Sequence, residues 1–146
     1  MKTVPGWNEY FMKIAETTAI RSKDPSRQVG CVIVDPGSHT VRSGGYNGMI
    51  SGVEETELLW ERPTKYSYVC HSEFNAIAKA AKNGISVDKC YLYCTCFPCL
   101  TCARLLIQAG IEKIFIKKEQ IATGYKDEEH ETLSLLQKAK IGYEVI

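Results

Sequence analysis

No apolar run in this 146-residue sequence approaches the roughly 20 residues that a membrane-spanning helix needs. The opening residues, Met1-Lys2-Thr3-Val4-Pro5-Gly6-Trp7-Asn8, lack the apolar h-region of a secretory signal. Neither charge dominates: 18 Lys+Arg stand against 17 Asp+Glu, a formal net charge of +1. That balance excludes a strongly basic protein whose affinity rests mainly on phosphate charge. Internal repeats, low-complexity tracts and long linkers are missing as well. Together these absences predict a soluble, intracellular, cytoplasmic chain folded as one domain over residues 1–146, with no membrane partner. They leave room for a small anionic ligand held by two or three cations.

Cysteine is what the sequence has in excess. Seven are many for this length, and the number is odd. In an intracellular chain this favours metal or catalytic thiols over a disulfide framework. Four of them, Cys94, Cys96, Cys99 and Cys102, crowd into nine residues.

The hydrophobic pattern alternates between strands and helices. Trp7, Phe11, Ile14, Ala15, Thr18 and Ala19 recur at helical spacing, predicting a helix that runs to about residue 22, with Pro25 beyond it. Val29-Gly30-Cys31-Val32-Ile33-Val34 reads as a strand, Asp35-Pro36-Gly37-Ser38 as a turn, and residues 41–46 as the return strand of a hairpin. Residues 47–66 are mostly polar. A second helix is predicted over 72–83, with Phe74, Ile77, Ala78 and Ala81 on one face and Gly84 as its stop. Strands at 89–94, 112–116 and 142–146 then alternate with helices at 99–109 and 128–140. That order predicts right-handed crossovers and a sheet covered on both faces: an α/β protein, built as a three-layer sandwich.

Cys99-Leu100-Thr101-Cys102 begins a predicted helix behind Pro98. Positions i and i+3 share a helix face, so both thiols can bind one ion. Proline suits a helix start, and the positive end of the helix favours thiolates. Two rivals share this motif: a redox dithiol, and half of a closed structural zinc site completed by Cys94 and Cys96. The redox reading expects the motif after the first strand of a βαβ unit near the N-terminus, whereas here it comes late.

His71-Ser72-Glu73 separates the remaining readings. Glu73 is a carboxylate in an otherwise apolar helix start, where burial is costly without a task. A histidine, a carboxylate two residues on, and a later Pro-Cys-x-x-Cys match the zinc deaminase signature. In physical terms His71, Cys99 and Cys102 supply three ligands to one Zn2+ and leave its fourth position open to water. Glu73, which is not a ligand, would move protons between that water, the ring nitrogen of a cytosine and the departing amine.

The chain resembles deoxycytidylate (dCMP) deaminases of the cytidine deaminase superfamily. Besides the zinc residues, the resemblance rests on Ser22-Lys23-Asp24-Pro25-Ser26-Arg27-Gln28-Val29-Gly30, Gly45-Tyr46-Asn47-Gly48, Lys65-Tyr66-Ser67-Tyr68-Val69-Cys70-His71 and the stretch from Ala103 to Ile111. It implies a mixed five-stranded sheet flanked by helices, a homo-oligomer that is usually a hexamer, and hydrolysis of dCMP to dUMP and ammonia for thymidylate synthesis. It implies a substrate site that includes Lys23, Ser26, Arg27, Asn47 and Tyr125, with Lys126 beside that tyrosine. It also implies effector contacts near Asn47 and Gly48, where many relatives are activated by dCTP and inhibited by dTTP. Ser72 stands where the family more often has Ala, Cys96 stands where Leu is usual, and Cys94 is additional.

On the residues alone, the Lys23–Arg27 loop suits a phosphate and equally suits a solvated turn. Asn47 equally suits a left-handed turn. A bifunctional dCMP/dCTP deaminase shares every motif. A polynucleotide deaminase would need a basic groove, which the charge balance argues against. A free cytidine deaminase would leave the phosphate cations idle, and a silent zinc-binding module would leave Glu73 without a role. Cys31 and Cys90 fall in predicted strands as small hydrophobes.

Overall fold

A computed structural model describes residues 1–117 and 126–146. Helix α1 (Trp7–Ala19) leads into β1 (Gly30–Asp35) and β2 (Thr40–Tyr46), the expected hairpin. A two-residue strand β3 (Gly48–Met49) follows, then two 3-10 turns (Glu57–Trp60 and Thr64–Ser67) and β4 (Val69–Cys70). Helix α2 (Ser72–Lys82), β5 (Tyr91–Cys94), α3 (Leu100–Gln108), β6 (Lys113–Ile116), α4 (Lys126–Lys138) and β7 (Gly142–Val145) complete the chain. The main sheet has the order β2-β1-β5-β6-β7. Pairing is antiparallel from β2 to β5 and parallel from β5 to β7, so the sheet is mixed and five-stranded.

The period of two along each strand divides the core. Val32, Val34, Tyr93 and Phe115 meet Phe11, Met12 and Ala15 of α1 on one face. Cys31, Ile33, Leu92, Cys94, Ile114 and Ile116 meet Ala76 and Ala80 of α2, Ala103 and Leu106 of α3, and Leu136 of α4 on the other. The result is the three-layer sandwich, with one helix covering one face and three covering the other. Burial on both faces explains why the central strands are apolar runs rather than alternating patterns.

Two glycines let helices approach the sheet. A Cβ on Gly45 of β2 would meet the Ser72 carbonyl oxygen and lie 2.6 Å from the Ala76 backbone nitrogen of α2. A Cβ on Gly30 of β1 would collide with the α1 backbone at Ala15 and Ala19. The Gly45 contact seats the N-terminus of α2, and so fixes where His71 and Glu73 stand.

Some boundaries differ from the sequence reading. Helix α1 stops at Ala19 because bonds from the N–H groups of Ile20, Arg21 and Ser22 to the third residue back tighten it into a turn. The strand expected from residue 89 begins at Tyr91, since Lys89 takes a left-handed backbone (φ 59°). The polar 47–66 segment contains β3, which pairs Gly48 with Cys70 and Met49 with Val69. Among the described residues, no helix is long and apolar enough to cross a membrane.

Candidate active site

His71 and Cys99 are the N-cap residues of α2 and α3, both in extended backbone conformation. Two helices packed on the same face of the sheet therefore bring their N-termini together, each presenting one side chain at its tip. Cys102 lies in the first turn of α3, and its backbone N–H donates to the Cys99 Sγ at 3.4 Å. The His71 Nδ1 sits 3.5 Å from the Cys99 Sγ and 3.6 Å from the Cys102 Sγ. All three donor atoms lie within 4.8 Å of one another.

These separations test whether zinc fits. A tetrahedral ion with Zn–N and Zn–S bonds of about 2.1 and 2.3 Å holds nitrogen and sulfur about 3.6 Å apart. The His71–thiol distances agree with that value, and one nitrogen with two sulfurs is a zinc donor set. Among the described residues, Cys94 and Cys96 are not in this group, so a closed four-thiolate site is not assembled. Cys94 is buried in β5, with its thiol pushed well up by the Cys31 thiol and by burial, and Cys96 is pushed up to about 11 by burial.

The protein's own groups already prepare a thiolate. The Cys102 thiol, His71 and the α3 backbone hold Cys99 down at about 4, against burial. The hydrogen bond with Cys99, and burial after it, pushes Cys102 up, and the hydrogen bond with Cys99 raises His71 above its ordinary value against burial. A divalent cation held by these residues would draw both sulfurs into the thiolate form and keep the imidazole neutral.

Glu73 stands two residues along α2, with 3% of its surface exposed. Burial pushes its carboxyl above the ordinary value, against the pull of hydrogen bonds and of His71. The Ser72 hydroxyl, itself fully buried, donates to Glu73 Oε2 at 2.8 Å and lies 3.8 Å from the Cys94 Sγ. Ser72 is therefore more than a small substitute for Ala: it holds one oxygen of the carboxylate.

His71, Glu73 and Cys99 line a cavity of about 420 Å3. Ser26, Arg27 and Asn47 line it too, together with Asp24, Arg62 and Lys65. Lys23 is not among the lining residues; its ammonium pairs with Glu55 at 2.7 Å, and its side chain is 69% exposed. The Asn47 amide is engaged in loop structure. Its Oδ1 accepts from the Val29 N–H, and its Nδ2 donates to the Arg27 carbonyl and to Asp24. The left-handed alternative for Asn47 does not hold, since the non-glycine residues of positive φ among those described are His39, Lys89 and Lys140. Gly48 lies in β3 opposite Cys70. Tyr125 falls outside the described residues.

Sequence reasoning missed Glu128 and Asp24. Glu128 of α4 accepts from the Leu100 N–H at 3.1 Å, capping the helix that carries both thiols. An acidic residue in the first turn of α4 gave no sign of reaching another helix.

A histidine and two thiols that could hold one ion, beside a buried carboxylate, form a candidate zinc centre of the hydrolytic kind. Comparison with known proteins makes the class specific. Residues 5–118 match the cytidine and deoxycytidylate deaminase zinc-binding region. Deoxycytidylate deaminase of Mus musculus is 44% identical over 136 residues, covering 89% of this chain and 72% of the mouse protein. A probable deoxycytidylate deaminase of Caenorhabditis elegans is 36% identical over 143 residues, covering 95% and 69%. The crystal structure of dCMP deaminase from cyanophage S-TIM5 in complex with dCMP and dUMP superposes with a TM-score of 0.79 at 28% identity, covering 99% of this chain and all of that one. The chain belongs to the zinc-dependent cytidine and deoxycytidylate deaminase family.

Proposed function

We propose that this chain hydrolyses dCMP to dUMP and ammonia as a single catalytic domain, with one zinc ion held by His71, Cys99 and Cys102 and with Glu73 as the proton carrier. The observation that carries the reading is a histidine–dithiol group at zinc spacing beside a buried carboxylate that is free of ligand duty. Zinc bound there supplies a Lewis acid and makes water acidic enough to react at neutral pH. Glu73 would accept a proton from the attacking water and deliver it to the ring nitrogen, then take the proton of the hydroxyl so placed on the ring carbon and deliver it to the departing amine. Burial suits this task, because a carboxyl held above its ordinary value is a stronger base and still able to give the proton back. The Ser72 hydroxyl keeps Oε2 in place while the proton moves. Water adds, ammonia leaves, and uracil remains.

The cavity has the size of a mononucleotide site. Ser26 and Arg27 are the phosphate residues on this reading, supported by their place in the cavity wall. Asn47 serves by shaping that wall, while Lys23 and Tyr125 enter through the family resemblance. The dCMP substrate is supported by the similarity to mouse deoxycytidylate deaminase and to the cyanophage complex. A homo-oligomer, as a hexamer, and control by dCTP and dTTP at Asn47 and Gly48 complete the proposal. The β3–β4 pairing of Gly48 with Cys70, next to His71, supports a path from that turn to a metal ligand.

Ammonia release from dCMP, dCTP and cytidine, each with and without added dTTP and dCTP, tests the reading on protein of known zinc content. Rapid dCMP turnover with one zinc per chain is the expected result. Comparable turnover of dCTP would make the enzyme bifunctional, and zinc-loaded protein inert on all three would overturn the small-nucleotide reading.

A further inference from the structure

The most deeply buried ion pair among the described residues, Lys65 with Asp24, has no part in the chemistry above. The Lys65 ammonium lies 2.9 Å from Asp24 Oδ1 and 2.8 Å from Oδ2. Their side chains are only 7% and 4% exposed. Burying two charges is expensive and by itself seldom stabilises a fold, so the pair calls for a second reason.

That reason lies in what Asp24 gathers around it. Its Oδ1 accepts the backbone N–H groups of Ser26 at 2.8 Å and Arg27 at 3.3 Å. Its Oδ2 accepts from the Asn47 amide at 3.2 Å, and the same amide reaches the Arg27 carbonyl at 2.9 Å. The Asp24 N–H donates to the Ser22 hydroxyl, and Gln28 donates to the Ser22 carbonyl at 2.6 Å. The Ser26 and Arg27 backbone and the Asn47 amide thus meet at one carboxylate, while Ser22 closes the base of the loop with Gln28. Lys65, 41 residues away in the 3-10 turn Thr64–Ser67, ties that carboxylate to the segment leading through β4 to His71. The pair thus joins the phosphate loop to the segment that leads to His71, beside the route that runs from Asn47 through the β3–β4 pairing.

We infer that the Lys65–Asp24 pair is a positioning device that fixes the Ser26–Arg27 loop at a set distance from the metal ligands, so that the 5′-phosphate and the cytosine ring of one nucleotide are engaged together. The inference rests on the dCMP reading above. Lys65 and Asp24 are positioning residues: they act through the loop, not on the nucleotide. Loss of the pair leaves the metal and Glu73 in place and lets the loop drift. A displacement near 1 Å in a binding group costs up to about 100-fold in kcat/KM.

The test is a double-mutant cycle with Lys65→Met, Asp24→Asn and the double variant, with Lys65→Arg as the conservative control. Steady-state kinetics on dCMP, zinc content and Tm are measured for each. Each single variant should lower Tm by roughly 10 °C, because it leaves one buried charge unpaired, and the double variant should recover most of that loss. KM for dCMP should rise about tenfold or more in both single variants and stay high in the double, with kcat changing less than about threefold. Lys65→Arg should fall between wild type and Lys65→Met. A KM that recovers along with Tm would reduce the pair to a stability element and overturn the inference. So would an unmoved KM in folded single variants. A KM loss in Lys65→Met far beyond that in Asp24→Asn would make Lys65 a direct phosphate contact, which also overturns it. Wild-type protein without dCMP turnover would remove the parent reading, and this inference with it.

Discussion

Replacing Glu73 by Gln separates the zinc centre from the proton transfer it serves. The amide has the volume of the carboxyl, and its Oε1 can still accept the Ser72 hydroxyl now bonded to Oε2 at 2.8 Å. Glu73 is 3% exposed, so the substitution also removes a charge whose burial is unfavourable. The fold and the metal should therefore be unaffected, with Tm equal to wild type or higher and one zinc per chain. What the amide cannot do is accept a proton and return it. Positioned general acid–base catalysis contributes about 100- to 10,000-fold. At 1.36 kcal/mol per tenfold, that is roughly 3–5 kcal/mol of barrier. Because the same residue serves both water and leaving amine, the upper part of the range is expected. Ammonia release under saturating dCMP measures kcat directly, and parallel metal analysis confirms that zinc is retained. A zinc-loaded Glu73→Gln protein within tenfold of wild type would refute the assignment, because another group would then have to carry the proton.

Gly45→Ala places a methyl group against the α2 backbone, 2.6 Å from the Ala76 nitrogen, where nothing can rotate away. It should destabilise by about 1–3 kcal/mol, and since α2 carries His71 at its tip, the variant should also lose zinc to a chelator faster than wild type. Arg27→Ala should raise KM for dCMP by about 10- to 100-fold, the worth of a charge-assisted hydrogen bond, whereas Lys23→Ala, whose ammonium pairs with Glu55 at the surface, should change it by less than about threefold. Burial pushes the Asp24 carboxyl up, but the Lys65 ammonium and the loop N–H groups outweigh it, and Asp24 titrates below its ordinary 3.8. A carboxyl lowered in the folded state contributes stability that is complete above the unfolded value and lost as pH falls through the folded one. Urea unfolding of wild type should therefore weaken below pH 3.8 more steeply than that of Asp24→Asn, and parallel slopes would contradict the lowered value.

The reactive centre was legible because its geometry is local. Two thiols of one helix start can share an ion when a helical turn separates them, the spacing of Cys99 and Cys102. On the proposed reading the ligand His71 and the proton carrier Glu73 likewise share one helix start. The strands were legible for a similar reason: central strands such as β1 and β5 are apolar on both faces and stand out as runs. What escaped was short or decided elsewhere. The β3–β4 ladder is two residues long on each side, too brief to show any period, and it forms because β2 hands the chain to the sheet edge just where β4 returns.

The rest of the cavity wall is harder to read than the candidate metal centre because each part takes its meaning from a distant partner. Lys65, within Thr64-Lys65-Tyr66, has the composition of an exposed turn, and only Asp24 arriving from 41 residues away makes its burial tolerable. Lys23, next to Asp24 in sequence, has the same charge and lies at the surface with Glu55. Composition and spacing treat these two lysines alike, yet one sits in the cavity wall and the other outside it. The same holds for Asn47, whose three amide contacts reach residues 24, 27 and 29. A catalytic motif records bond lengths around one ion, and these survive in the sequence as fixed intervals. On the proposed reading, choosing a phosphorylated substrate requires two distant segments to be held at a set separation, and that is recorded only in which charges meet when the chain closes.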